Sequence, residues 1–211
     1  MKNNLTEIAM IVDRSGSMSP FWDDVSNGFD GFIKNQKELQ GECDFTLYVF
    51  DNEIDKIYDK VSIKDVNTIG SIYPRGMTAL YDAIGTCINE VGNRLSNTPE
   101  DEKPSKVIVA IFTDGAENSS VEFNSSKIGD MIKHQEEKYS WEFLFLAAGY
   151  DAFQEAGHIN MNLSRSVSAA ASSDGYSASY NTLNTFTSLV RNSVDTSTIN
   201  LQYEYDKEVT S

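Results

Sequence analysis

Basic side chains are scarce in this chain: 17 Lys and Arg stand against 32 Asp and Glu, leaving a formal net charge of −15. Such a surface repels phosphate backbones and anionic headgroups, so neither nucleic acid nor membrane is an expected partner. Cysteine and histidine are scarcer still, at two each. Cys43 and Cys87 lie far apart with no Cys-x-x-Cys pairing and no neighbouring His, which excludes the common zinc and redox motifs. Cys87 falls on an apolar helical stripe and reads as a small buried hydrophobe. His134, on an expected helix, and His158, in a late loop, stand beside no nucleophile motif. No apolar run approaches the roughly 20 residues that a bilayer-spanning helix needs. The opening Met1-Lys2-Asn3-Asn4-Leu5-Thr6 runs straight into a strand-like segment without a signal-peptide cleavage pattern, so a cytoplasmic location is expected. On that expectation the Asn-x-Ser/Thr triplets at Asn4, Asn118, Asn124 and Asn162 read as chance in an Asn- and Ser-rich chain.

What is present is a regular alternation of patterns. With 211 residues, 40% of them hydrophobic, the chain suits one domain with one substantial core. Continuous apolar runs at Ile8–Val12, Val107–Phe112 and Phe143–Ala148 fit strands buried on both faces of a parallel sheet. Helical stripes lie between them. Trp22, Val25, Phe29, Phe32, Ile33 and Gln36 trace one, ending on a polar residue; Leu80, Ile84, Cys87, Ile88, Val91 and Leu95 trace the strongest. Ile128, Met131, Ile132 and Gln135 mark a shorter helix, with Ser125 and Ser126 as capping-type residues.

The alternating segment Phe45–Phe50, the Asp51-Asn52 turn, and Ile54, Ile57 and Tyr58 predict a hairpin, so one edge strand runs antiparallel. After Gly149-Tyr150-Asp151 the pattern weakens. A short helical piece is expected around Phe153–Ala156, a last strand near Met161–Val167, a loop over Ser168–Gly175 and a closing helix through Tyr176–Val190. The expected organisation is one domain over residues 1–200 and a polar, fraying tail over residues 201–211. The fold class is α/β: a doubly wound, mostly parallel sheet with one antiparallel edge strand and helices on both faces.

In such sheets ligands bind beyond the carboxyl ends of the strands where strand order reverses. The loops following Val12 and Phe112 read Asp13-Arg14-Ser15-Gly16-Ser17 and Thr113-Asp114-Gly115-Ala116-Glu117, and a third, Pro74-Arg75-Gly76-Met77-Thr78, precedes the strongest helix. Asp13, Ser15, Ser17, Thr78 and Asp114 together make an all-oxygen donor set of the kind hard divalent cations prefer.

This D-x-S-x-S run with a following Thr and Asp resembles the metal-ion-dependent adhesion site (MIDAS) of von Willebrand factor type A domains, with every motif position matched in order. The likeness spans roughly Thr6 to Asn192 and is similar to stand-alone bacterial or phage A domains. It implies a Rossmann-like A-domain fold and a Mg²⁺ site, with Mn²⁺ or Ca²⁺ as alternatives. Ser15 and Ser17 would touch the ion, Thr78 would switch, and Asp13 and Asp114 would anchor charge and geometry, often through water. The implied function is a cation-dependent protein-binding module, not an enzyme, whose metal receives an Asp or Glu carboxylate from a protein partner.

Two other classes compete: a phosphotransferase-like metalloenzyme with Asp13 as nucleophile, and a structural A domain with no ligand. The first lacks a second carboxylate two residues after Asp13, where Ser15 stands, and lacks a partner base. A dinucleotide site is excluded because no G-x-G-x-x-G follows the first strand. The family often has paired glycines where this chain has Gly76-Met77. Asp82 is open between a hydrogen bond into the site and a satisfied helix carboxylate. Arg14 reads as a solvated loop cation in preference to a steering charge, Glu117 as surface, and Tyr150-Asp151 as polar loop or binding-face lining.

Overall fold

A computed structural model describes residues 1–149 and 152–210. Six strands form a single sheet: β1 (Lys2–Asp13), β2 (Glu42–Phe50), β3 (Ile54–Ser62), β4 (Pro104–Thr113), β5 (Glu142–Ala148) and β6 (Ser166–Ala169). Their order is β3-β2-β1-β4-β5-β6, with every pairing parallel except the β2/β3 hairpin. The apolar runs expected to be buried on both faces are so: Ile8 to Val12 and Ile108 to Ile111 are fully inaccessible.

Because side chains alternate across the sheet, each run feeds two cores. Ile8, Met10 and Val12 pack with α1 (Trp22–Glu38) and α5 (Ser173–Arg191), while Ala9 and Ile11 pack with α2 (Leu80–Ser96) and α3 (Ser125–Tyr139). Val25, Phe29, Phe32 and Ile33 form the buried stripe of α1. Its polar end, Gln36, is also fully buried, and is satisfied by donating to Asn184 Oδ1 (2.7 Å) and accepting from Arg191 (3.0 Å). Cys87 is buried in the second core as a plain hydrophobe. Burial in the first core pushes the Cys43 thiol up to about 12, so neither cysteine resembles a reactive thiol.

Several local expectations are revised. The cap of α3 is Asn124, whose side chain accepts from the Lys127 amide at 2.9 Å, and not Ser125 or Ser126. The last strand is shorter and later than expected, because Leu163–Arg165 turns as a 3₁₀ helix before β6 begins at Ser166. The Ser- and Ala-rich stretch after it is consequently split between β6 and the first turn of α5, which Ser172 caps. The short helix near Phe153 is α4 (Ala152–His158).

The expectation of a fraying tail is overturned: Leu201–Thr210 forms a further helix, α6. Leu201 and Tyr205 are buried in the first core, and Tyr205 Oη accepts from the Ala170 amide at 3.1 Å. Gln202 accepts from the Ser168 amide at 2.7 Å, while its own amide donates to the Ser168 carbonyl at 3.4 Å. Only two apolar positions one turn apart are needed to dock so short a helix, too sparse a signal to stand out among polar neighbours.

At the amino end of the sheet, β1 carries a fully buried Glu7 that faces the carboxyl end of α2. Arg94 holds it with two hydrogen bonds of 3.0 and 2.9 Å, and Thr46 donates to it at 3.1 Å. Removing one partner of such a pair strands the other, which costs more than the pair itself contributes. Arg94→Ala should therefore destabilise the domain by about 3 kcal/mol or more. The double variant Glu7→Met/Arg94→Met should recover most of that loss, read as midpoints of chemical denaturation.

Candidate metal centre

Register brings the motif together. Asp13 pairs with Phe50 on β2, while Val12 pairs with Phe112 on β4. The carboxyl ends of the three central strands are thus level, at the point where chain order reverses across the sheet. Asp13 and Thr113 end neighbouring strands, and the Thr113 hydroxyl donates to Asp13 Oδ2 at 2.6 Å. The other carboxylate oxygen, Oδ1, accepts from the Ser15 amide at 2.6 Å, turning the chain back over the strand end.

That turn stacks the two motif serines. Ser15 Oγ lies 3.0 Å from Ser17 Oγ, and Ser17 donates to Asp114 Oδ1 at 2.6 Å. A side chain at Gly115 would place its Cβ 3.2 Å from Thr78 Oγ1 and 3.6 Å from Ser17 Oγ. Thr78 and Ser17 therefore flank one point beside Gly115. All of Asp13, Ser15, Ser17, Thr78 and Asp114 gather in one place, with Ser17 exposed and Asp114 half-buried. Asp13 is completely inaccessible.

The electrostatics of this cluster are unbalanced. Burial pushes the Asp13 carboxyl up to about 6, despite the hydrogen bonds from Thr113 and Ser15 that favour its ionised form. Asp114 is also raised, chiefly by burial, with the Ser17 hydroxyl opposing. Among the described residues no Lys, Arg or His pairs with either carboxylate. No group of three His, Cys, Asp or Glu side chains forms a conventional metal cluster there either. The donor set consists of two carboxylates without a countercharge and three hydroxyls, which fits a hard divalent cation.

Several supporting residues carried no clear signal in the sequence. Asn118 brackets Thr78: its side chain accepts from the Thr78 amide at 2.9 Å and its own amide donates to the Thr78 carbonyl at 3.0 Å. It belongs to one of the triplets that read as chance. Glu117 is no idle surface carboxylate. It accepts from the amides of Tyr81, Ser119 and Ser120 and from the Ser120 hydroxyl, tying the loop after β4 to the start of α2. Asp82 resolves as a satisfied carboxylate that accepts from the amides of Val121, Glu122 and Phe123 and does not reach the site. Met77 is exposed. Tyr150 and Asp151 lie outside the described residues.

Arg14 is the largest local correction. It is buried, not solvated, because Asp51 at the end of β2 takes its Nε at 3.1 Å, while Asp55 lies 2.7 Å from its Nη2. The same Asp51 Oδ2 accepts from Arg75 Nε at 2.9 Å, and Oδ1 accepts from the Glu53 amide at 2.7 Å. The Asp51 carbonyl accepts from the Ala79 amide at 2.9 Å, and the Arg75 amide donates to the Arg14 carbonyl at 2.8 Å. One carboxylate thus pins the first motif loop, the hairpin turn and the loop that delivers Thr78. Burial alone would raise Asp51; Arg75, the Glu53 amide and the charge of Arg14 outweigh it and hold the carboxyl below its usual range. Gly76 closes beside this knot at φ +70°, where a Cβ would fall 2.2 Å from Asn52 Oδ1.

Asp51→Asn should cost about 3 kcal/mol, because Arg14 loses its buried countercharge. Amide hydrogen exchange should show faster exchange in all three loops together, including Ala79. A change confined to the hairpin turn would contradict the pin.

No family model matches the sequence, and no curated protein matches it. Solved structures do match the fold. Proximal thread matrix protein 1 from the mussel byssus aligns with a TM-score of 0.61 at 16% identity, covering 88% of this chain and 46% of that one. A von Willebrand factor type A protein from Catenulispora acidiphila aligns at 0.56 and 14% identity, covering 87% and 42%. The manganese-loaded TRAP protein of Plasmodium vivax aligns at 0.55 and 13%, covering 81% and 70%. The mussel protein also matches in a form with zinc occupying its MIDAS motif. The chain spans less than half the length of the mussel and Catenulispora proteins. Its sheet order, single antiparallel edge strand and flanking helices are those of the von Willebrand factor type A fold.

Proposed function

We propose that this chain is a divalent-cation-dependent protein-binding module. The observation that carries the proposal is the convergence of Asp13, Ser15, Ser17, Thr78 and Asp114 at the sheet's switch point, with two carboxylates that no cation among the described residues pairs. Ser15, Ser17 and Thr78 would contact Mg²⁺, or Mn²⁺ or Ca²⁺ in its place, while Asp13 and Asp114 hold the hydroxyls and supply charge. When bound, the ion supplies an electrophilic centre for a carboxylate oxygen from an Asp or Glu of a protein partner. Neutral hydroxyls donate little charge, so the chain's own ligands leave that pull intact. Fold neighbours that carry zinc in a MIDAS motif or are loaded with manganese support the choice of a divalent ion.

The geometry favours Asp13 as an anchor over Asp13 as a nucleophile. Both of its oxygens are engaged, by Ser15 and Thr113, and the residue has no accessible surface from which to attack a phosphoryl group.

Calorimetric titration with Mg²⁺ or Mn²⁺ should show one site in the wild type. Affinity should fall about tenfold or more in Ser17→Ala and in Asp114→Ala, both at positions open enough to leave the fold intact by circular dichroism. Equal heats from all the proteins would refute the metal assignment.

Partner capture from native lysate should depend on Mg²⁺, fail in EDTA and fail for Asp114→Ala. Replacing the essential acidic residue on the captured protein should abolish association. A partner that binds equally well in EDTA would show that recognition does not pass through this site.

A further inference from the structure

Three of the chain's exposed large apolar side chains stand on the loops that carry or adjoin the motif: Tyr73 is 81% exposed, Met77 56% and Val121 90%. Their backbones are tied to the motif loops. Met77 lies between Gly76, whose carbonyl accepts from the Gly16 amide at 3.3 Å, and Thr78, which Asn118 brackets. Val121 follows Asn118 by three residues in the loop after β4, and its amide donates to Asp82 in the first turn of α2 at 2.8 Å. Tyr73 precedes Arg75 by two residues, and the Arg75 amide is fixed to the Arg14 carbonyl. None of the three packs into either core.

Resting on the metal-dependent reading above, we propose that Tyr73, Met77 and Val121 form an apolar rim that selects the partner's sequence: an acidic residue flanked by large apolar side chains, not an acidic run. The charge at this end of the molecule favours that occupant. Asp114 and Glu117 stand on these loops with no ion-pair partner among the described residues, on a chain of net charge −15, and the nearby cations Arg14 and Arg75 are already paired to Asp51, Asp55 and Glu53. A single carboxylate meets the ion, whereas extra acidic neighbours would face unpaired negative charge within a Debye length of about 8 Å. Apolar flanks meet no such repulsion and remove Met77, Val121 and Tyr73 from water.

The test uses the whole chain loaded with Mn²⁺ and three synthetic pentapeptides, each with a central glutamate. One has glycine neighbours, one phenylalanine and leucine neighbours, and one aspartate neighbours. Peptide affinity is read by calorimetry and Mn²⁺ occupancy separately by water proton relaxation. The apolar-flanked peptide should bind about tenfold tighter than the glycine-flanked one, and the acid-flanked peptide weakest. The double variant Met77→Ser/Val121→Ser should erase the apolar preference while Mn²⁺ occupancy and glycine-peptide affinity stay unchanged. Mn²⁺ binding with equal affinity for the apolar- and glycine-flanked peptides would overturn the rim and leave the metal site standing. Failure to bind Mn²⁺ would overturn both.

Discussion

The parallel register of β1 between β2 and β4 is the constraint on which the rest of the molecule depends. It sets Asp13 level with Phe50 on one side and Thr113 on the other. A slip of one residue would turn Ile8, Met10 and Val12 from one core to the other and reverse the facing of every polar residue at the strand end. Burial on both faces makes that slip prohibitive, so the hydrophobic interior positions the hydrophilic cluster. The residues just past the aligned ends, Arg14, Asp51 and Asp114, inherit their neighbourhood from that register.

Two carboxylates at this end of the sheet are handled in opposite ways. Asp51 is surrounded by Arg14, Arg75 and a backbone amide, and its carboxyl is held low. Asp13, at the adjacent strand end, has hydroxyl and amide donors but no cation among the described residues, and burial pushes it up. The fold satisfies the first internally and leaves the second with unspent negative potential. Preorganised loops around an uncompensated anion are what an ion-dependent surface requires: rigid donors, held apart from the protein's own cations.

How much of this was legible in the sequence follows from how local each signal is. The sheet, the hairpin and the main helices rest on apolar runs and stripes within single segments, and all are present. Asp13, Ser15, Ser17 and Asp114 follow the ends of neighbouring strands, so the topology places them together, and Thr78 joins them from the loop before α2. The supporting residues were less visible because their roles depend on distant partners. Arg14 looked solvated because its counterion Asp51 lies 37 residues away. Asn118 looked incidental because it brackets Thr78 across 40 residues. Asp82 is satisfied by amides across a similar distance, and nothing near it in the chain shows this. Helix α6 was missed because its docking depends on Leu201 and Tyr205 meeting a strand edge that no local pattern reveals.

That edge has a consequence for association. An open sheet presents unpaired amides and carbonyls at both margins, and a neighbouring chain's strand can pair with them. Here Gln202 answers both the amide and the carbonyl of Ser168, standing in for the strand that would otherwise continue the sheet, and Tyr205 takes the Ala170 amide. The opposite margin, β3, is irregular: its register with β2 shifts twice, Lys60 adopts φ +48°, and Asp55, Lys56, Asp59 and Lys60 line it with charge. A strand joining at β6 would have to displace α6 first, and one joining at β3 would meet a bent, charged edge. The sheet is closed to growth in both directions, so a second chain could join this one only through side-chain surfaces and not by extending the sheet.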